Sequence, residues 1–293
     1  MKTIITFFAT IFGYLLNFIY GFVNNYGLAI IIFTIILKLV MLPISIKQQK
    51  SMKKNSQMQK KIMEIQDKYS NDQARQSQEL MDLYKKEHYN PFSGCLTSII
   101  QMFLVLSMFY LVSQPLTYMK QVETEKIDNY VTQITNEGKN VRYREIAVIK
   151  EMRDKDESVK INMDFLGLDL SDIPSENYTN WKVYIIPVLY VFTSFVSTKI
   201  ITLLTKDPKE IAKEKEEKAL IKQEEKKENK ETEAMSEMNK QMQLMVPIMS
   251  VSIALIAPLG LALYWLVGNL FSLCERLILN KFFKKGEEKE DNG

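Results

Sequence analysis

Leu28-Ala-Ile-Ile-Ile-Phe-Thr-Ile-Ile-Leu-Lys-Leu-Val-Met-Leu-Pro-Ile-Ser-Ile46 is apolar enough to enter a bilayer, yet it carries Lys38. A cation on a spanning helix costs roughly 2.5–3.5 kcal/mol on insertion scales, so it faces protein or water and by default marks a functional path. From its position Lys38 reaches only part of the way to the headgroups by snorkelling. Thr34 lies one turn above it on the same helical face. The competing reading is an ordinary membrane anchor with a snorkelling lysine.

The 293 residues are 46% hydrophobic and 25% charged, with a net charge of +3. The mean hydropathy of −0.12 averages strongly apolar runs with strongly charged ones, as in a polytopic membrane protein. Two cysteines, Cys95 and Cys274, imply no disulfide framework. The single histidine, His88, leaves little for Ser-His catalysis or a His-rich metal site. No phosphate-binding or dinucleotide glycine loop and no zinc spacing occurs, so no catalytic residue, cofactor or metal is expected.

Outward from the first span (25–46), residues 1–24 form an aromatic-rich, weakly amphipathic segment. Phe8, Phe12, Leu15, Leu16 and Ile19 fall at helical spacing, and Thr10, Gly13 and Asn17 interrupt the opposite side. This pattern predicts an interfacial helix rather than a spanning or cleaved one. Residues 47–90 predict a helical hairpin broken at Ser70-Asn71-Asp72, with stripes Ile62, Ile65, Tyr69 and Leu80, Leu83, Tyr84. Ten Lys/Arg against five Asp/Glu between Lys47 and Lys86 make the hairpin cytoplasmic by the positive-inside rule.

The second span (91–113) has an apolar stretch, Leu96 to Val112, of only about 26 Å as a helix, short of a ~30 Å hydrocarbon core. Residues 114–182 form an extracellular loop, in which Trp181 and Tyr184 suggest an aromatic anchor. A third span (183–205) and a charged cytoplasmic linker (206–240) follow. The final apolar stretch turns at Ala257-Pro-Leu-Gly260, giving a fourth span (241–257), a fifth (258–280) and a cytoplasmic tail (281–293). The expected fold is therefore all-α, with five transmembrane helices, N-terminus out and C-terminus in. Gln101, Ser197, Tyr264, Trp265 and Asn269 supply a candidate polar lining for Lys38 and Thr34. Residues alone leave a channel, a transporter and an insertion device open.

Five stretches, in order, resemble the YidC/Oxa/Alb family of membrane-protein insertases in its short, Gram-positive-type form. They are Asn25-Tyr-Gly-Leu continuing to Pro43; Lys61-Ile-Met-Glu-Ile-Gln-Asp-Lys-Tyr69; Asn90-Pro-Phe-Ser-Gly-Cys95 with Ile100-Gln-Met102; Phe165-Leu-Gly-Leu-Asp-Leu-Ser171 with Ile185-Ile-Pro187; and Ala257-Pro-Leu-Gly-Leu-Ala-Leu-Tyr-Trp-Leu-Val-Gly-Asn269. The resemblance implies a hydrophilic groove, open to cytoplasm and lipid, in which Lys38 is the basic residue and Trp265 the aromatic one. It implies nascent membrane proteins and the lipid bilayer as partners, with the Sec translocon and the ribosome as further candidates. It also implies a monomer in a bacterial plasma membrane, no nucleic-acid specificity and no enzyme activity. The alternative on the residues is an anion transporter or channel with Lys38 as its anion site; a structural chaperone on the same fold is a third reading. The chain departs from the family where Lys38 replaces the usual arginine, which removes the planar fork for carboxylates, and where Ser197 replaces a glutamine. The stretch 120–160 is longer than in many relatives. The tail turns acidic after Lys285, against a basic ribosome-binding tail, and no lipid-accepting cysteine stands near Met1.

Overall fold

The computed structural model describes residues 2–70, 72–87, 93–205 and 251–290. The predicted charged linker (206–240), the beginning of the predicted fourth span and the Asn90-Pro91-Phe92 turn lie outside the described residues. The helices are α1 (Lys2–Val23), α2 (Tyr26–Lys68), α3 (Gln73–Lys86), α4 (Ser93–Ser113), α5 (Thr124–Asn136), α6 (Arg144–Met152), α7 (Ile185–Thr205) and α8 (Leu259–Glu290). Residues 251–256 are also helical. The described strands are β1 (Asp164–Phe165) and β2 (Leu168–Asp169), an antiparallel pair between α6 and α7. Four described segments are long and apolar enough to cross a membrane: Thr3–Val23, Tyr26–Gln49, Trp181–Ile200 and Leu259–Lys281. Met102–Ser113 is apolar but shorter. The protein is an all-α polytopic membrane protein with a single small hairpin of strand among the described residues.

The chain forms two compact units, Leu39–Leu106 and the remainder. Within the smaller unit, Asp72 caps α3 by accepting from the Arg75 N–H (3.0 Å), which stops the preceding helix where the sequence shows its break. Tyr69 donates to Glu79 (3.3 Å) and has the cations of Lys68 and Arg75 over its ring, while Lys61 pairs with Glu87 at 2.6 Å. No residue of α3 is fully buried, so these arms are held by a half-buried stripe and polar links. The first span and the first arm of the hairpin are one 43-residue helix that contains Pro43. A proline removes one N–H and crowds the carbonyl four residues back. Membrane helices absorb that cost, and Lys47-Gln-Gln-Lys50 carries no breaker.

In the larger unit, α1 has two different faces. Ile5, Ala9, Leu16, Ile19 and Tyr20 are buried on one face, while Phe7, Ile11, Tyr14, Phe18 and Phe22 stand exposed on the other. The helix is long and apolar enough to span, and Asn17 stands among its exposed residues. Gly13, an interruption on the sequence pattern, is instead the point of closest approach. A Cβ there would lie 1.9 Å from the carbonyl oxygen of Tyr118, in the π-helical turn Leu116–Lys120.

The stretch 114–182 is folded. Ile127 and Ile134 of α5 and Ile146, Ile149 and Met152 of α6 share a core with Val159, Ile161 and Met163. Glu145 is buried beneath it, with a carboxylate that accepts from the N–H groups of Leu116 (2.7 Å) and Thr117 (2.9 Å) and from the Thr117 hydroxyl (2.5 Å). It thereby caps the π turn on which α1 rests. Burial pushes the Glu145 carboxyl above its ordinary value, and the hydrogen bonds pull it back only in part. The folded protein binds that proton more tightly than the unfolded chain, so this group's contribution is fullest below the ordinary glutamate pKa. It is lost as pH rises through the raised value.

Two predictions follow from this packing. Gly13→Ala destabilises the protein by about 1–3 kcal/mol through overpacking, whereas Gly21→Ala, with nothing within 4 Å of the new Cβ, leaves it unchanged or slightly more stable. Thermal unfolding in lipid nanodiscs separates the two. Glu145→Ala strands two buried N–H groups at a cost of about 1–3 kcal/mol. Relative to Glu145→Gln, the wild type loses stability as pH rises from about 4 toward neutrality; a gain over that range would mean the charged form is the favoured one.

Candidate functional site

Two apolar helices begin on one run of the stretch 114–182. The N–H of Tyr26, first residue of α2, donates to the Asn162 carbonyl at 2.9 Å. Those of Leu259 and Gly260, first residues of α8, donate to the carbonyls of Asp172 (2.9 Å) and Leu170 (3.0 Å). Helix starts leave such donors without an internal partner, and the run 162–172 supplies acceptors for both. Lys38 is twelve residues beyond Tyr26 and Ser272 thirteen beyond Leu259. At 1.5 Å per residue that is about 18 and 20 Å along each helix. The two side chains reach the same depth and meet.

Lys38 is half-buried, and its ammonium donates to Ser272 Oγ at 2.8 Å. Ser272 in turn donates to the Gly268 carbonyl at 2.8 Å, one turn back on α8. A Cβ on Gly268 would lie 3.9 Å from Lys38 Cε, so the lysine stem runs past a glycine and ends on a serine. Glu275, three residues further along α8, is buried. Gly268, Ser272 and Glu275 lie on one face of α8 at i, i+4 and i+7 spacing.

The other expected lining residues are distributed unevenly. Thr34 is fully buried and donates to the carbonyl of Ile30 at 2.6 Å, within its own helix. Trp265 packs on Tyr190 of α7, with ring centroids 5.8 Å apart, which ties α7 to α8 at this level. Tyr264 and Asn269 are half-buried on α8 and Ser197 is buried on α7. Gln101 belongs to α4, and its side chain lies outside the described residues. The structure thus brings Lys38 and Ser272 together between α2 and α8 and sets Trp265 against Tyr190 of α7, while Thr34 is turned inward on its own backbone. Met108 is buried as packing.

Sequence reasoning missed Ser272 and Gly268. The available signal was their spacing: two small residues four apart on a spanning helix let a neighbour approach closely. That signal names no partner, and Lys38 is 234 positions away.

The chain matches the 60Kd inner membrane protein family over residues 18–287. It is similar to the membrane protein insertase YidC of Wigglesworthia glossinidia brevipalpis, 28% identical over 271 residues, which cover 92% of this chain and 36% of the relative. The Rickettsia felis protein of that name is 28% identical over 92% of this chain and 38% of its own length. Membrane protein insertase YidC 2 of Listeria innocua is 26% identical over 99% of this chain and 72% of the relative. The chain spans little more than a third of the length of the first two. With its membrane-spanning helices and a match that runs almost from end to end, the chain belongs to the 60Kd inner membrane protein family, as a protein of a bacterial plasma membrane.

Proposed function

We propose that this protein inserts newly made membrane proteins into the bilayer and assists their folding. The observation that carries the proposal is the Lys38–Ser272 pair, a half-buried ammonium held at depth on two spanning helices of a family whose relatives are named membrane protein insertases. In this reading the chain crosses the membrane five times, N-terminus out and C-terminus in. An acidic or polar tail of the substrate enters a wet groove from the cytoplasm and is drawn to Lys38. At 4 Å and an effective dielectric constant of 20 the attraction of one carboxylate is about 4 kcal/mol, before desolvation is subtracted. The apolar segment behind the tail then passes into bilayer thinned beside the short second and fourth spans. No bond is made or broken, so no catalytic residue is assigned. The partners are nascent membrane proteins and lipid, and the protein acts as a monomer, alone or beside the Sec translocon and ribosome.

An anion transporter would use the same lysine differently. Such folds place the ends of broken half-helices at a site near the midplane. Helices α2 and α8 run unbroken through the level of Lys38 and Ser272, which favours insertion.

Ser272 is a positioning residue in this scheme. Its hydroxyl proton is committed to Gly268, so its oxygen faces Lys38 as an acceptor and fixes where the ammonium sits.

Proteoliposomes containing only the purified protein test the function. The substrate is a single-span protein with a short acidic N-terminal tail, scored by protease protection. Wild type and Lys38→Arg protect it, and Lys38→Ala loses about tenfold, the factor that ~1.4 kcal/mol produces. Equal protection by all three discards the lysine's role; no protection by any, with a working positive control, discards the autonomous insertase. For the positioning role, Ser272→Ala costs about 1.5 kcal/mol of stability as the loss of a hydrogen bond to a charged group. That cost disappears in a Lys38→Ala background, read as a double-mutant cycle by thermal unfolding.

A further inference from the structure

The hairpin of β1 and β2 has a feature that insertion chemistry does not use. Phe165 faces Leu168 in register, so Leu166-Gly167 is a two-residue turn. Both have positive φ, 54° and 76°, which is the type I′ pattern that favours Asn-Gly or Asp-Gly. A leucine occupies the first position instead. It is 87% exposed, the most exposed of the large apolar side chains of the described residues. A bulky side chain in the left-handed region, aimed away from its own protein, is unfavourable in water on both counts.

The hairpin's contacts place this tip. Asn162 meets the corner between α1 and α2: its N–H donates to the Tyr20 hydroxyl (2.8 Å), its side chain to the Asn24 carbonyl (2.9 Å), and its carbonyl accepts from the Tyr26 N–H (2.9 Å). The Asp164 carbonyl then accepts from the Asn25 side chain at 2.6 Å. The ring of Phe165 covers Gly27, where an added Cβ would lie 2.5 Å from it. From residue 162 to 165 the partners advance to Gly27, so the strand runs beside α2 in the direction in which α2 enters its membrane span, Tyr26–Gln49. Leu166 is the next residue. Leu28 and Ile32, further along α2, are likewise exposed apolar side chains. At the start of another span, Trp181–Ile200, Trp181 is 70% exposed, as expected of an aromatic at the headgroup level.

We infer that the Leu166-Gly167 turn is a membrane-inserting tip, with the Leu166 side chain seated among lipids at the boundary of headgroups and acyl chains. The occupant is lipid of the leaflet that α2 enters first. Gly27 makes this possible, because only the absence of a side chain lets Phe165 lie close enough to carry the tip alongside the span. The inference does not depend on the function of Lys38.

Spin labelling in nanodiscs of phosphatidylethanolamine and phosphatidylglycerol tests it, with the full chain and Cys95→Ala and Cys274→Ala replacing the native thiols. Labels at Leu166→Cys, at Thr132→Cys on the exposed side of α5, and at Val40→Cys on the exposed side of the first span are compared. The ratio of collisions with oxygen to collisions with a polar nickel chelate should be several-fold higher at 166 than at 132, and on the side of 40. A ratio at 166 equal to that at 132 places the tip in water and overturns the inference. Leu166→Asn gives an independent reading, because asparagine suits the turn and not the lipid. A lower unfolding temperature in nanodiscs supports insertion, and a higher one overturns it.

Discussion

The positions of Lys38 and Ser272 depend on three backbone hydrogen bonds far from both. The carbonyls of Asn162, Leu170 and Asp172 receive the first N–H groups of α2 and α8. Helices in a bilayer gain nothing from hiding apolar surface from water, since lipid is as apolar as leucine, and their register must come from packing and polar contacts. Here the register of two spans is set outside the membrane by one continuous run of loop. A slip of one residue in either helix would move a side chain by about 1.5 Å and turn it by about 100°. The ammonium would then miss its serine.

That run belongs to the core of the stretch 114–182. Lys150 of α6 pairs with Asp172 at 2.7 Å, and Arg153 with Asp169 at 2.9 Å, so the acceptor strand is tied to α6 on both sides of Leu170. These pairs are partly buried, Asp172 most of all. Their value is directional, since Asp172 uses its side chain on Lys150 and its backbone on Leu259. Glu145 holds the π turn, that turn takes Gly13 of α1, and Tyr20 of α1 meets Asn162. The long stretch after the second span is therefore the frame from which the spans are hung.

Which features could be read in the sequence follows from the range of the forces involved. Lys38 stands out because its cost is a property of one residue in an apolar run. The turn at Ala257-Pro258-Leu259-Gly260 and the break at Asp72 are local chemistry, and both are where the sequence puts them. Gly13 and Ser272 are different. Gly13 looks like a flaw in an amphipathic pattern because the sequence does not contain Tyr118's carbonyl, and Ser272 looks like any small residue until Lys38 is laid against it. The strand hairpin is too short to establish an alternation.

The ammonium of Lys38 meets a hydroxyl whose own proton is already used. Thr34 donates to Ile30 and Ser272 to Gly268, each to the carbonyl one turn back. Both oxygens are thereby left as acceptors only, and an ammonium has three donors and no acceptor. Ser272 takes one of those donors and fixes where the ammonium sits. A guanidinium would have to hold its plane against the same serine while presenting two parallel donors outward. Gly268, without a side chain, leaves the slender lysine stem room to lie against α8. Glu275 is buried one turn beyond Ser272 on α8, and α8 sets the position of the charge.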